Sequence, residues 1–186
     1  MTTLAHRIKH IVAALFVAVG FSLPLAADEA KVDDLMSQLR EADAGNYQKI
    51  EAAILEEWSK SGSPAMDLLM KRGDDALAAG DPAAALEHFS ALVDHAPDFA
   101  EGYARRATAY YLLGQFGPAL DDARQALVLN PRNFAVLRGF GIMLEELNRP
   151  ADALEVYRQV LVLDPAAQDV IDAANRLELQ LKGQTL

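Results

Sequence analysis

The chain has 186 residues, no cysteine and a formal net charge of −10, the length of one ordinary domain. The missing cysteines exclude a disulfide-stapled fold, so stability must come from packing. The bases are scattered one or two at a time, which excludes the Lys/Arg cluster that a nucleic acid recruits by counterion release.

The first 27 residues stand apart. His6, Arg7, Lys9 and His10 precede a run of 17 uncharged residues, Ile11 to Ala27. A basic end, an apolar run, Pro24 and the small pair Ala26-Ala27 predict an export signal cleaved after Ala27, although Leu25 is an unusual residue at the third position back. An uncleaved anchor is the weaker alternative, because a span wants about 20 apolar residues. No cysteine follows the run, which excludes a lipoprotein. The expected product begins at Asp28 and is exported and soluble, with the periplasm as its first compartment and secretion left open. Loss of Arg7 and Lys9 takes the charge to −12.

After the signal, residues 28–63 carry two helical stripes, Val32, Leu35, Met36 and Leu39, then Ile50, Ile54 and Trp58, separated by Gly45-Asn46-Tyr47. They predict a degenerate helical pair at the end of an array. A lone Trp on such a stripe is expected to be core.

The array declares itself by its period. Pro97, Pro131 and Pro165 are 34 residues apart, and so are Gly73, Ala107 and Gly141; Ala85, Ala119 and Ala153; and Gly80, Gly114 and Asn148. A fixed period of this length signals stacked helical repeats. Each residue type has a physical reason. Small residues at 73, 107, 141, 85, 119 and 153 let two helix axes approach closely. Gly80, Gly114 and Asn148 tolerate the left-handed conformation that ends a first helix. Pro82, Pro118 and Pro150 suit the opening turn of a second helix, with Asp81 as an N-cap. The prolines at 97, 131 and 165 stop that helix. Leu69, Tyr103 and Leu137, with Ala76, Tyr110 and Leu144, are expected on the inner faces of the first helices, answered by Phe89, Ala123 and Tyr157 from the second.

The unit 100–133, with Tyr103, Ala107, Tyr110, Gly114, Phe116, Ala119, Ala126 and Pro131, resembles the tetratricopeptide repeat family. The units 66–99 and 134–167 resemble it nearly as well, the latter with Asn148 for glycine and Val160 for alanine. The resemblance implies an all-α, right-handed α-solenoid of antiparallel helical pairs, with three repeats filling 64–167. A final stripe, Val170, Ala174, Leu177 and Leu181, predicts a capping helix over 168–182, followed by a loose tail, 183–186.

The resemblance further implies that the second, fifth, ninth and twelfth positions of each unit line a concave groove. These are Asp67, Met70, Asp74 and Leu77; Glu101, Ala104, Thr108 and Tyr111; and Ala135, Arg138, Ile142 and Glu145, with Arg105 at the edge. Such a mixed surface suits an extended or helical peptide of another protein. The chaperone-binding branch of the family clamps a terminal carboxylate with Lys and Asn at the fifth and ninth positions of its first unit. Met70 and Asp74 stand there, so that clamp is not expected.

Catalysis has little support. His88 and His95 are seven residues apart on one helix, about 10.5 Å along its axis, too far to share a metal ion. Asp74-Asp75, Asp121-Asp122 and Glu145-Glu146 are adjacent residues that point about 100° apart, as on solvated helix faces. No catalytic residue, metal ligand or cofactor is expected. The leading expectation is a non-catalytic scaffold for another envelope protein or peptide, its oligomeric state open. The alternatives are a structural subunit assembling through its ends, by the first helical pair or by Leu177, Leu179 and Leu181 of the last helix, and, remotely, an enzyme using Glu145 and Glu146.

Overall fold

The computed structural model describes residues 28–183. The signal read in residues 1–27 lies outside the described residues, as do the last three of the tail. Nine helices make up the described chain: α1 (Glu29–Arg40), α2 (Tyr47–Trp58), α3 (Pro64–Ala78), α4 (Pro82–His95), α5 (Ala100–Leu112), α6 (Phe116–Leu129), α7 (Phe134–Glu146), α8 (Pro150–Leu163) and α9 (Gln168–Gly183). Among the described residues, no helix is long and apolar enough to cross a membrane.

The periodic residues do the work their types predict. Gly80, Gly114 and Asn148 take φ of 76°, 71° and 56°, the left-handed conformation that lets each first helix end in one residue. Pro82 and Pro150 open α4 and α8, and the Asp81 carboxylate accepts the Ala84 amide at 2.9 Å. Ala85, Ala119 and Ala153 are fully buried. A Cβ built on Gly73 would stand 2.5 Å from Phe89 Cζ, and one on Gly141 would stand 2.8 Å from Tyr157 Cδ1. Glycine is therefore required wherever the facing second helix carries an aromatic ring. The middle unit inverts the arrangement, with Ala107 on α5 and the small Ala123 on α6, both buried.

The pairs α3–α4, α5–α6 and α7–α8 stack in sequence into an α-solenoid, and α9 packs on α8. Val170, Ala174 and Leu177 of α9 are buried against the last repeat, as a capping helix requires. Arg106 ties α5 to α6 by donating to both oxygens of Asp122, at 2.6 and 2.8 Å.

The N-terminal pair departs from the expected arrangement. Its helices fall inside 28–63, but they do not stack on the first repeat as the end of the array. They turn back and pack on the third. Val32, Met36, Leu39, Ile54 and Trp58 share one continuous core with Phe134, Leu137, Leu144, Tyr157 and Val160. The rings of Trp58 and Phe134 lie 5.5 Å apart, Asp33 pairs with Arg132, and Glu51 accepts from Arg138. The physical reason is surface area. The third repeat presents Phe134, Leu137 and Leu144 as the apolar face that the pair covers. Each apolar side chain hidden against α7 contributes about 2 kcal/mol.

Candidate functional site

Because α2 lies across α7, the concave surface is partly covered by the chain itself, and what stays open is a cleft walled by α2, α3, α5 and α7. Its deeper part is a cavity of about 300 Å³ lined by Leu55 of α2, by Glu101, Ala104, Arg105, Thr108 and Tyr111 of α5, and by residues of α7 including Ala135, Val136 and Ile142. A shallower hollow of about 410 Å³ continues it between α2 and α3, past Glu56, Asp67, Met70, Asp74 and Arg105.

The thirteen groove residues named from sequence are thus divided, with Ala104 and Ala135 among those on the cavity wall. Glu101, Arg105, Thr108, Tyr111 and Ile142 line the cavity, and Asp67, Met70 and Asp74 border the hollow. Met70 is nevertheless 4% exposed, packed with Ala85, Phe89 and Leu92, so it is chiefly core. Leu77 packs half-buried on the same cluster and lines neither space. Arg138 differs most from expectation: Glu51 of α2 and Asp169 of α9 hold its guanidinium, so it is not a free groove cation. Glu145 points toward the array's end, where it accepts from the Tyr157 hydroxyl at 2.8 Å and from Arg176 at 2.7 Å. Arg176 holds the Glu145 carboxyl below its usual range, and burial, followed by the bond to Glu145, raises the Tyr157 phenol. Glu146 accepts from Tyr111. Both glutamates named for a possible enzyme are therefore engaged in bonds between helices. Of the leucines named for end-to-end assembly, Leu177 is buried and Leu179 is exposed.

The chemistry of the cleft centres on Glu101. Its residue is 4% exposed, and its Oε1 accepts from Asn133 Nδ2 at 2.7 Å. Asn133, itself buried, also caps α7 by accepting the Val136 amide at 3.0 Å. Glu101 Oε2 has no hydrogen-bond donor among the described residues; Arg105 Nε stands 3.9 Å away. The same guanidinium is 3.6 Å from Asp74. One cation is thus shared by two carboxylates and is within bonding distance of neither. Burial pushes both the Glu101 and the Asp74 carboxyls above their usual range, with Arg105 only partly opposing it.

Sequence reasoning missed Leu55, Glu56 and Asn133. The first two belong to a segment read as an end of the array, and only tertiary folding brings them to the groove. Asn133 carried a signal: it stands directly before Phe134, where an N-cap belongs.

A sequence profile described as tetratricopeptide repeat matches residues 70–121 and 105–168. A TPR repeat-containing protein of Rhizobium etli is 30% identical over 159 residues, which span 85% of this chain and 78% of that one. The SGT1 homolog of Bos taurus is 35% identical over 102 residues, 55% of this chain but 30% of its own length. Among solved structures, the Arabidopsis OM64 TPR domain superposes with a TM-score of 0.59 at 26% identity, covering 61% of this chain and 93% of that domain. The first TPR of Spaghetti (RPAP3), bound to the HSP90 peptide SRMEEVD, gives 0.61 at 22% identity, covering 63% and 93%. The residues matched, together with the 34-residue period and its three folded units, place this chain in the tetratricopeptide repeat family.

Proposed function

We propose that this protein is a non-catalytic adaptor that binds a segment of another protein in the cleft between α2, α3, α5 and α7, and that it works in the cell envelope after export. The observation that carries the reading is the cavity itself: an apolar floor of Leu55, Val136 and Ile142, with a few polar groups converging on it, placed at the groove positions of consecutive repeats. Its volume suits one or two anchoring side chains of a partner. The solved relative in complex with an HSP90 peptide supports peptide binding as a use of this fold, and the basic and apolar leader supports the envelope.

A photo-crosslinking residue at Thr108, exposed on the cavity rim, tests the reading against a control at Val128, which is 75% exposed on α6. A discrete adduct in intact cells from Thr108 and none from Val128 is expected. Capture from Val128 alone would move the binding surface off the groove. Fractionation of the same cells tests the setting: protein recovered in the cytoplasm with residues 1–27 intact would contradict export.

A further inference from the structure

The charges of the cleft do not balance, and their imbalance specifies the partner's chemistry. Asp74 and Glu101 face the hollow and the cavity with one guanidinium, Arg105, between them. The other bases bordering the hollow are committed: Lys60 bonds Glu57 at 2.6 Å and Lys71 bonds Asp75 at 2.6 Å. The nearest cation of the third repeat, Arg138, is held by Glu51 and Asp169. The cleft therefore carries a carboxylate in excess, and the more buried of the two acids has an oxygen with no donor. Glu101 Oε2 opens on the cavity, and a largely buried carboxylate with an open lone pair gains when a cation or a strong donor meets it.

We propose that the cavity receives a basic side chain of the bound protein, arginine or lysine, whose cation docks on Glu101 Oε2 while its aliphatic stem lies along Leu55, Tyr111 and Ile142. This inference rests on the reading of the cleft as a peptide site and adds the polarity of its ligand. Glu101 is suited to the role because the Asn133 amide fixes its other oxygen and thereby the aim of the carboxylate. The long apolar stem of a basic residue fits a cavity whose floor is apolar and whose single acid is deep. Arg105 lies where the cavity and the hollow meet, its guanidinium 3.6 Å from Asp74 and 3.9 Å from Glu101 Oε2, so the incoming cation must share Glu101 with it or displace it toward Asp74. An acidic anchor would instead bring a second negative charge beside Glu101 in a poorly solvated site, which like-charge repulsion disfavours.

Three capped peptides distinguish the outcomes: acetyl-Leu-Arg-Leu-amide, its neutral citrulline counterpart, and its glutamate counterpart. Each is titrated into the isotope-labelled full chain and followed by amide NMR shifts at Thr108, Gly139 and the Asn133 side chain. The arginine peptide is expected to give saturable shifts at these groups and to bind about tenfold or more tightly than the citrulline peptide. E101Q, which keeps an acceptor for Asn133 and removes the charge, is expected to abolish the preference for the arginine peptide over the citrulline peptide. Equal binding of the arginine and citrulline peptides would overturn the basic anchor and leave the peptide site standing. Tighter binding of the glutamate peptide would overturn it too and would assign recognition to Arg105. Absence of cleft shifts with all three would defeat the anchor and the peptide-site reading together.

Discussion

The first and third repeats share a period, a left-handed stop after the first helix and a glycine facing an aromatic ring, yet they end in opposite situations. Helix α3 hides Met70 and Gly73 and leaves Leu68 47% exposed; α7 hides Phe134, Leu137, Gly141, Met143 and Leu144. The difference does not come from the repeat's own fold. It comes from the neighbours: α1 and α2 share a core with Phe134, Leu137 and Leu144 of the third repeat, while the middle unit covers Met143. Repeat identity thus fixes the local pair, whereas the neighbour that covers it is chosen by the residues the repeat does not share. The functional consequence is that α2 covers part of the groove and leaves a cleft between α2, α3, α5 and α7.

The contrast can be broken most strongly at the docking contact. Trp58→Ala removes a side chain that is 8% exposed and packs on Phe134. It should cost about 3 kcal/mol in chemical denaturation and expose the linker between α1 and α2 to protease. Unchanged stability and protease resistance would show that the pair is held by something else. Gly141→Ala, which drives a Cβ into the Tyr157 ring, should cost about 2 kcal/mol. Combining it with Tyr157→Ala, which imitates the Ala107/Ala123 pair of the middle unit, should cost less than the sum of the two single changes. Strict additivity would mean that ring and glycine are not coupled.

A smaller effect sharpens the account of how α2 is seated. Asp164 is fully buried beside Glu51, Arg138 stands 3.9 Å from its Oδ2, and Asp169 shares that guanidinium. Burial, and then the neighbouring Glu51 carboxyl, push the Asp164 carboxyl up from 3.8 to about 7. Because the folded pKa lies above the unfolded one, the stability owed to the protonated form is complete below about pH 4 and is lost as pH rises through about 7. Asp164→Asn keeps the acceptor for the Ala166 amide, and Asn130 already serves the equivalent Arg132 amide one unit earlier. The variant should therefore gain on the order of 1 kcal/mol relative to the parent between pH 5 and 7.5. Parallel urea midpoints across that range would remove Asp164 as the source. Smallest of all, Asn148→Gly relieves a non-glycine residue at φ 56° and should stabilise by about 0.5 kcal/mol; a loss of stability would show that the Asn148 side chain contributes more than its backbone costs.

The array was legible because its determinants are local and repeated. Gly73 with Phe89, Gly141 with Tyr157 and Ala107 with Ala123 each sit within one unit, so spacing alone discloses the pairing. The fold of the N-terminal pair had no such signal. Arg138 and Glu51 are 87 residues apart, and Asp33 and Arg132 are 99 apart, and neither contact recurs in another repeat. What the sequence did contain was Phe134, aromatic where Met66 and Ala100 stand, and Glu51, an acid beside the apolar stripe of α2. Both now have a reason: one receives Trp58 and the other holds Arg138. The candidate site was half legible on the same grounds. Thr108, Tyr111 and Ile142 follow from position within the unit. Leu55 follows only from where α2 lies, and the open oxygen of Glu101 only from how Asn133 and Arg105 are placed.

The placement of α1 and α2 on the third repeat is the claim on which the cleft depends, and the chain's lack of cysteine makes it directly measurable. Cysteines at Asp33 and Arg132, treated with a short bis-maleimide, should give an intramolecular crosslink in high yield, while cysteines at Asp33 and Leu68 on α3 should give none. A crosslink to position 68 and none to position 132 would put the pair on the first repeat, as a simple end cap, and would contradict the account.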